Sequence, residues 1–206
     1  MNDPIHSGGS IAFLKGSLAG DGAIIKQSAC SPDLLVHSGR TVVFDSLQDL
    51  ALRIDDPDLD VVKEDVLVLR NSGPKGAPGM PESGYIPIPK KLAAEGVKDM
   101  VRISDCRMSG TAFGTIILHC VPEAAIGGPL ALVESGDTIT LNVLERRLTI
   151  DISEAEFERR RGNWEHPKSQ EAERGYRKLF LDTVMQANEG VDFEFLTKRP
   201  FTAKTP

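Results

Sequence analysis

The stretch NSGPKGAPGMPE, residues 71–82, sets three glycines and three prolines among twelve positions. Proline fixes φ and removes a backbone donor, while glycine reaches conformations closed to other residues. Neither a helix nor a strand interior accepts such a run. The chain must therefore carry a loop braced by its own sequence, hung on short regular elements. The apolar run DVLVLR just before it predicts a buried strand at Val66–Leu69. Two other stretches share the same grammar of strand, glycine turn and small polar residues: GSLAGDGAIIK at 16–26 and SDCRMSGTAFGT at 104–115. Backbone N–H groups in such loops can receive carboxylate or phosphate oxygens. A compact β domain also needs tight turns for their own sake, and for any one loop taken alone that plainer reading is favoured.

Around these loops the pattern is that of a β-rich α/β domain. Ile11–Lys26 reads as loop punctuation between short strands, broken at Gly16, Gly20 and Gly22. A strand is expected at Thr41–Phe44. An amphipathic helix capped by Ser46 should follow, burying Leu47, Leu50, Ala51 and Ile54. A short helix should open near Pro89 and stop at Gly96, with KDMVRIS as another strand. TIILHCV suits a strand or a buried helical turn. Thr138–Val143 and Arg147–Ile152 alternate as a hairpin turning at Leu144–Arg146. Ser153 and Glu156 form a capping box ahead of a charged helix, and a second helix should run from Arg174 to Gly190. The expected division is residues 1–7 as a linker or tail, 8–153 as the main domain, and 154–206 as a helical extension packed on it.

Length and hydrophobic content suffice for a proper core: 206 residues, 40% hydrophobic. The net charge of −6 argues against nucleic acid or an anionic membrane as principal partner. No apolar run is long enough to span a bilayer, and the N-terminus lacks a signal-peptide layout, so a cytoplasmic location is expected. Three irregularly spaced cysteines, Cys30, Cys106 and Cys120, fit a reducing compartment better than a disulfide framework. None belongs to a CxxC pair, and Cys106 should be more exposed than Cys120.

Few residues could carry chemistry. Ser109 lies between Arg107 and small residues, outside any G-x-S-x-G motif, and by pattern alone reads as a turn residue rather than a base. Arg102 and Arg107 could hold a substrate carboxylate. Glu82 closes the proline-glycine loop, where one rigid carboxylate suits Mg²⁺, or is simply solvated. Lys26 and Lys75 could neutralise an anion or face water. The run Arg159–Arg161 reads as a solvated helix face.

Taken in order, GSLAGDGAIIKQSA, RNSGPKGAPGMPE, SDCRMSGTAFGT and PEAAIGGPLALVESGDTI resemble the C-terminal domain of the dihydroxy-acid/phosphogluconate/sugar-acid dehydratase family. The resemblance covers roughly residues 8–196, and the RMSGTAFGT and GMPE wording is nearest the arabinonate/xylonate branch. It implies a swivelling, barrel-like β/β/α fold. It further implies a hydro-lyase that converts a 2,3-dihydroxy acid to a 2-keto acid, using Mg²⁺ and an iron–sulfur cluster. In that family Ser109 corresponds to the base, Thr111 lies beside it, and Glu82 corresponds to a Mg²⁺ ligand. The cluster cysteines and the other Mg²⁺ ligands of the family lie in an N-terminal domain, so the chain resembles one part of a larger, homo-oligomeric enzyme and should be inactive alone. Cys106 stands where sugar-acid members usually carry alanine. The alternative class is a non-catalytic module that binds a small anion or assembles with partners.

Overall fold

The computed structural model describes residues 8–110, 112–167 and 172–197. Eight strands close into a barrel: β1 (Ala12–Gly16), β2 (Ala19–Ile25), β3 (Val36–Phe44), β4 (Val66–Leu69), β5 (Arg102–Ser104), β6 (Ile116–Val121), β7 (Thr138–Asn142) and β8 (Arg147–Ile150), in the spatial order β1-β2-β6-β5-β4-β3-β7-β8. The neighbours β3–β4, β4–β5 and β5–β6 run parallel, as does the single β1–β8 contact; the remaining pairs are antiparallel.

Burial on both faces explains the uninterrupted apolar runs of the parallel strands. Val43, Val66, Val68 and Ile103 point into the barrel core with Leu14, Ile117 and Leu148. Their neighbours Val42, Phe44, Leu67 and Leu69 face outward onto helices α1 (Leu47–Arg53) and α2 (Lys90–Ala94), meeting Leu50, Ile54 and Leu92. The N-cap of α1 is as expected, with Ser46 Oγ accepting from Asp49 N at 3.1 Å. Its buried face is narrower than its spacing predicts: Leu50 and Ile54 are buried, Leu47 and Ala51 exposed. A seven-residue helix has room for only two residues on its contact line.

Three other expectations are corrected. Ile11–Lys26 is mostly one hairpin of β1 and β2 rather than loop punctuation, and Gly22 serves contact: a Cβ there (φ 119°) would lie 2.2 Å from the Phe13 ring. Strand β3 begins five residues before Thr41, because its polar half Val36–Arg40 pairs with β7 and only Thr41–Phe44 pairs with β4. The second C-terminal helix, α4 (Gly175–Thr183), follows α3 (Glu154–Asn163) and ends early. Val184 bridges Phe193, and Met185 N donates to Asp192 O at 2.9 Å, so tertiary pairing takes the backbone that a longer helix would need.

Helix α3 is tied to the barrel through the arginine run. Arg160 is largely buried and forks onto Asp137 at 2.6 and 3.0 Å, with Glu156 at 2.7 Å and Leu132 O at 3.0 Å. Arg159 and Arg161 remain on the solvated face expected of all three.

Candidate functional site

The parallel strands β4, β5 and β6 leave the same barrel end; β4 and β5 run into the glycine-rich segments 71–82 and 104–115, and β6 into PEAAIGGPL. Ligands of parallel sheets commonly sit outside such carboxyl ends. Here the three connections are bound together by two buried carboxylates. Asp105, the first residue after β5, accepts from Ser72 N in the post-β4 loop and from Ala124 N after β6, both at 2.9 Å. Glu123 accepts from Lys75 N at 3.0 Å through each oxygen, from Gly76 N at 3.0 Å and from the Gln186 amide at 2.6 Å. The nest anticipated from the sequence exists, and a side chain of the protein fills it. A Cβ on Gly73 would come within 2.6 Å of Glu123 Oε2, which explains that glycine. Burial, then the neighbouring Glu123 carboxylate, raises the Asp105 carboxyl to about 7, against the pull of its N–H donors.

Beyond the nest, the post-β4 and post-β5 segments run side by side along the barrel wall. Glu82 forms a parallel bridge with Arg107, and Gly84 N donates to Arg107 O at 2.9 Å. The Arg107 side chain spans the pair, donating to Glu82 Oε1 at 2.8 Å and to Met80 O at 2.6 Å. Both side chains of the ion pair are about half exposed, at 45% and 47%. Ser109 follows two residues later, half-buried, with its carbonyl accepting from Ala112 N at 3.2 Å. Lys26 reaches from the end of β2 to Gly110 O at 2.8 Å. Glu82 and the 107–110 segment thus share one open surface with two cations, Arg107 and Lys26. Thr111 lies outside the described residues.

Several candidates do other work. Arg102 is buried and fully engaged: Asp99 at 2.8 Å, Tyr85 O at 2.9 Å, Ile86 O at 3.2 Å and Met100 O at 3.3 Å. It cannot hold a substrate carboxylate. Asp99 in turn is kept ionised despite burial, by hydrogen bonds from Thr115 and Ser31 N and by Arg102. Lys75 Nζ donates to Leu181 O at 2.9 Å, so it braces the C-terminal segment rather than facing an anion. Cys106 is as buried as Cys120, contrary to expectation. Burial pushes the Cys30 and Cys106 thiols up to about 11, and Cys120 well above its usual range. Among the described residues no three His, Cys, Asp or Glu side chains gather into a metal-binding group, so these cysteines do not fit an iron–sulfur cluster.

Residues 1–191 match the family described as Dihydroxy-acid/6-phosphogluconate dehydratase C-terminal. The chain belongs to this family. Among its curated relatives, a putative dehydratase of Rhizobium meliloti is 52% identical over 95% of the chain and 34% of its own length. The 6-deoxy-6-sulfo-D-gluconate dehydratase of Pseudomonas putida is 50% identical over 95% and 34%. The L-arabinonate dehydratase of Rhizobium leguminosarum is 50% identical over 93% and 33%. This dehydratase C-terminal domain therefore spans about a third of the length of the relatives it matches.

Sequence reasoning missed Asp105, Glu123 and Gln186 in the dehydratase domain. One signal was present: Glu123 interrupts the apolar run IILHCVPEAAI, where an acidic residue needs fixed donors. Glycine-rich loops nearby are a natural source of them.

Proposed function

We propose that this chain is the C-terminal domain of a hydro-lyase that removes water from a 2,3-dihydroxy (sugar) acid to give a 2-keto-3-deoxy acid, with Ser109 as base and Glu82 as a Mg²⁺ ligand. The observation that carries this reading is the bridge and ion pair that join Glu82 to Arg107, two residues before Ser109, with both side chains about half exposed. Family membership and the sugar-acid dehydratases among its relatives support the reaction class.

Glu82 fits the metal by chemistry: it is an exposed, hard oxygen donor on a proline-braced loop, and Mg²⁺ takes few carboxylates. Among the described residues no group of three or more His, Cys, Asp or Glu could hold a metal ion, so this chain supplies one ligand of a shared site. When bound, the ion would stabilise the negative charge that develops at the substrate's carboxylate end. Ser109 Oγ, as the alkoxide, takes the C2 proton while the C3 hydroxyl leaves as hydroxide; that proton completes the departing water and restores the alkoxide, and the enol tautomerises to the keto acid. A serine alkoxide needs nearby positive charge; Arg107 stands two residues before Ser109, and Lys26 donates to the carbonyl of Gly110 beside it. Thr111 lies beside the base in this reading. The cysteines take no part, and the iron–sulfur cluster implied by the resemblance has its ligands in the remaining two thirds of the relatives' length.

The finer organisation belongs to the same proposal. Residues 8–153 form the swivelling unit and 154–206 a helical extension, of which 168–171 and 198–206 lie outside the described residues, as does the linker or tail 1–7. The enzyme is cytoplasmic and homo-oligomeric, and the isolated chain is inactive. An anion-binding module is disfavoured because the 72–76 nest is already filled by Glu123.

The test is 2-keto acid formation by an enzyme of the relatives' full length carrying this domain, assayed with arabinonate-, xylonate-, gluconate-type and branched-chain dihydroxy acids. Turnover of at least one is expected, and Glu82→Gln should raise the Mg²⁺ concentration for half-maximal activity by on the order of tenfold. No keto acid from any of them would reject the reading.

A further inference from the structure

Glu82 sits at the end of an unbroken chain of contacts that starts on the C-terminal segment. Gln186, between Met185 and Ala187, clamps the Glu123 backbone and side chain together. Its Nε2 donates to Glu123 Oε1 at 2.6 Å, and its Oε1 accepts from Glu123 N at 3.0 Å. The Glu123 carboxylate fills the nest of Lys75 and Gly76 N–H groups. From there Ala77 N donates to Gly73 O at 2.9 Å, Met80 N to Ala77 O at 2.7 Å, and Arg107 takes Met80 O and Glu82 together. Pro74, Pro78 and Pro81 remove the φ freedom that would otherwise absorb a displacement along the loop. Lys75 Nζ adds a second tie to the same segment at Leu181 O.

We propose that Gln186 and Glu123 are positioning residues: the C-terminal segment latches the 72–82 loop through a carboxylate held in its nest, and thereby sets where the Glu82 carboxylate points. This goes beyond the assignment of Glu82 and rests on it for its consequence in catalysis. The physical reason is that the nest donors are satisfied by one oriented carboxylate. With Gln186 gone, Glu123 loses a charge-assisted donor and the clamp on its backbone, and the loop loses its reference point. A glutamine serves here where a cation would not, because it both donates to the carboxylate and accepts from the backbone N–H.

The direct test is amide hydrogen exchange on this 206-residue chain bearing Gln186→Leu. Exchange at Lys75 and Gly76 should quicken on the order of tenfold, while Val68 and Ile103 in the barrel stay unchanged. Faster exchange confined to residues 184–191, with Lys75 and Gly76 unmoved, would overturn the latch. Because a change at buried Glu123 risks the fold, Glu123→Gln serves only as the second variant, and it should loosen the same two amides. In the full-length dehydratase, Gln186→Leu should raise the Mg²⁺ concentration for half-maximal activity about tenfold, with kcat at saturating Mg²⁺ within about twofold. Loosened amides with an unchanged Mg²⁺ requirement would refute the positioning role and leave the dehydratase reading intact. If wild-type turnover shows no Mg²⁺ dependence, the role of Glu82 fails instead, and the exchange result still decides the latch.

Discussion

At the scale of single residues, the site is organised by carboxylates that never face solvent. Asp105 has the clearest pH consequence. Its folded-state pKa, raised to about 7, lies above the value of about 3.9 expected for an unfolded aspartate. Its contribution to stability is therefore complete below about pH 4 and is lost as pH rises through about 7. Over that window the chain should lose stability by up to about 1.4 kcal/mol per pH unit from this one group. Urea unfolding at several pH values measures it. Asp105→Asn should flatten that dependence, and an equally steep slope in the variant would assign the protons elsewhere. Glu82 and Ser109 could be proposed from the sequence only because a whole motif surrounded each. Asp105, Glu123 and Gln186 carried no such label. Their roles depend on which N–H groups the fold turns toward them, and a local pattern does not encode that.

At the scale of elements, legibility followed how local the deciding interaction was. Ser46 and Ser153 were readable as N-caps because a cap is a contact across three residues; both accept from the predicted N–H groups, Asp49 and Glu156. Strand β4 was readable because both its faces are apolar. The polar half of β3 was not, since His37, Ser38 and Arg40 become a strand only by pairing with β7, about a hundred residues onward. Arg160 shows the same limit on α3: its sequence neighbours suggest a solvated stripe, whereas its partner Asp137 lies on the barrel. Arg160→Ala leaves a largely buried Asp137 unpaired and should cost about 3 kcal/mol. Urea denaturation measures the loss, with exchange at α3 amides rising before that of the barrel. A cost below about 0.5 kcal/mol would mean that Phe157 and Trp164, packed on the core, hold the helix by themselves.

At the scale of the molecule, the barrel presents its two functional segments on an outer wall rather than in an enclosed cavity. Phe113 is 64% exposed and Tyr85 46%, both on the segments that carry Ser109 and Glu82. Ile86 is buried, whereas Phe113 is open. In the proposed reading this is half a site, with one carboxylate, one hydroxyl and two cations from this domain. That agrees with a chain spanning about a third of its relatives' length. Long-range strand order was the least legible property of all. The strands could be counted roughly, but nothing in their patterns said that β6 would lie between β2 and β5.

The central claim is that the Ser109 hydroxyl removes the C2 proton. The measurement that tests it is turnover of a 2,3-dihydroxy sugar acid by the full-length dehydratase carrying Ser109→Ala, alongside its thermal midpoint and Mg²⁺ binding. Loss of a general base costs at least about a hundredfold in kcat. The predicted result is a drop of that size or more, with the midpoint and Mg²⁺ affinity unchanged. Turnover within a few-fold of the unsubstituted enzyme would contradict the account.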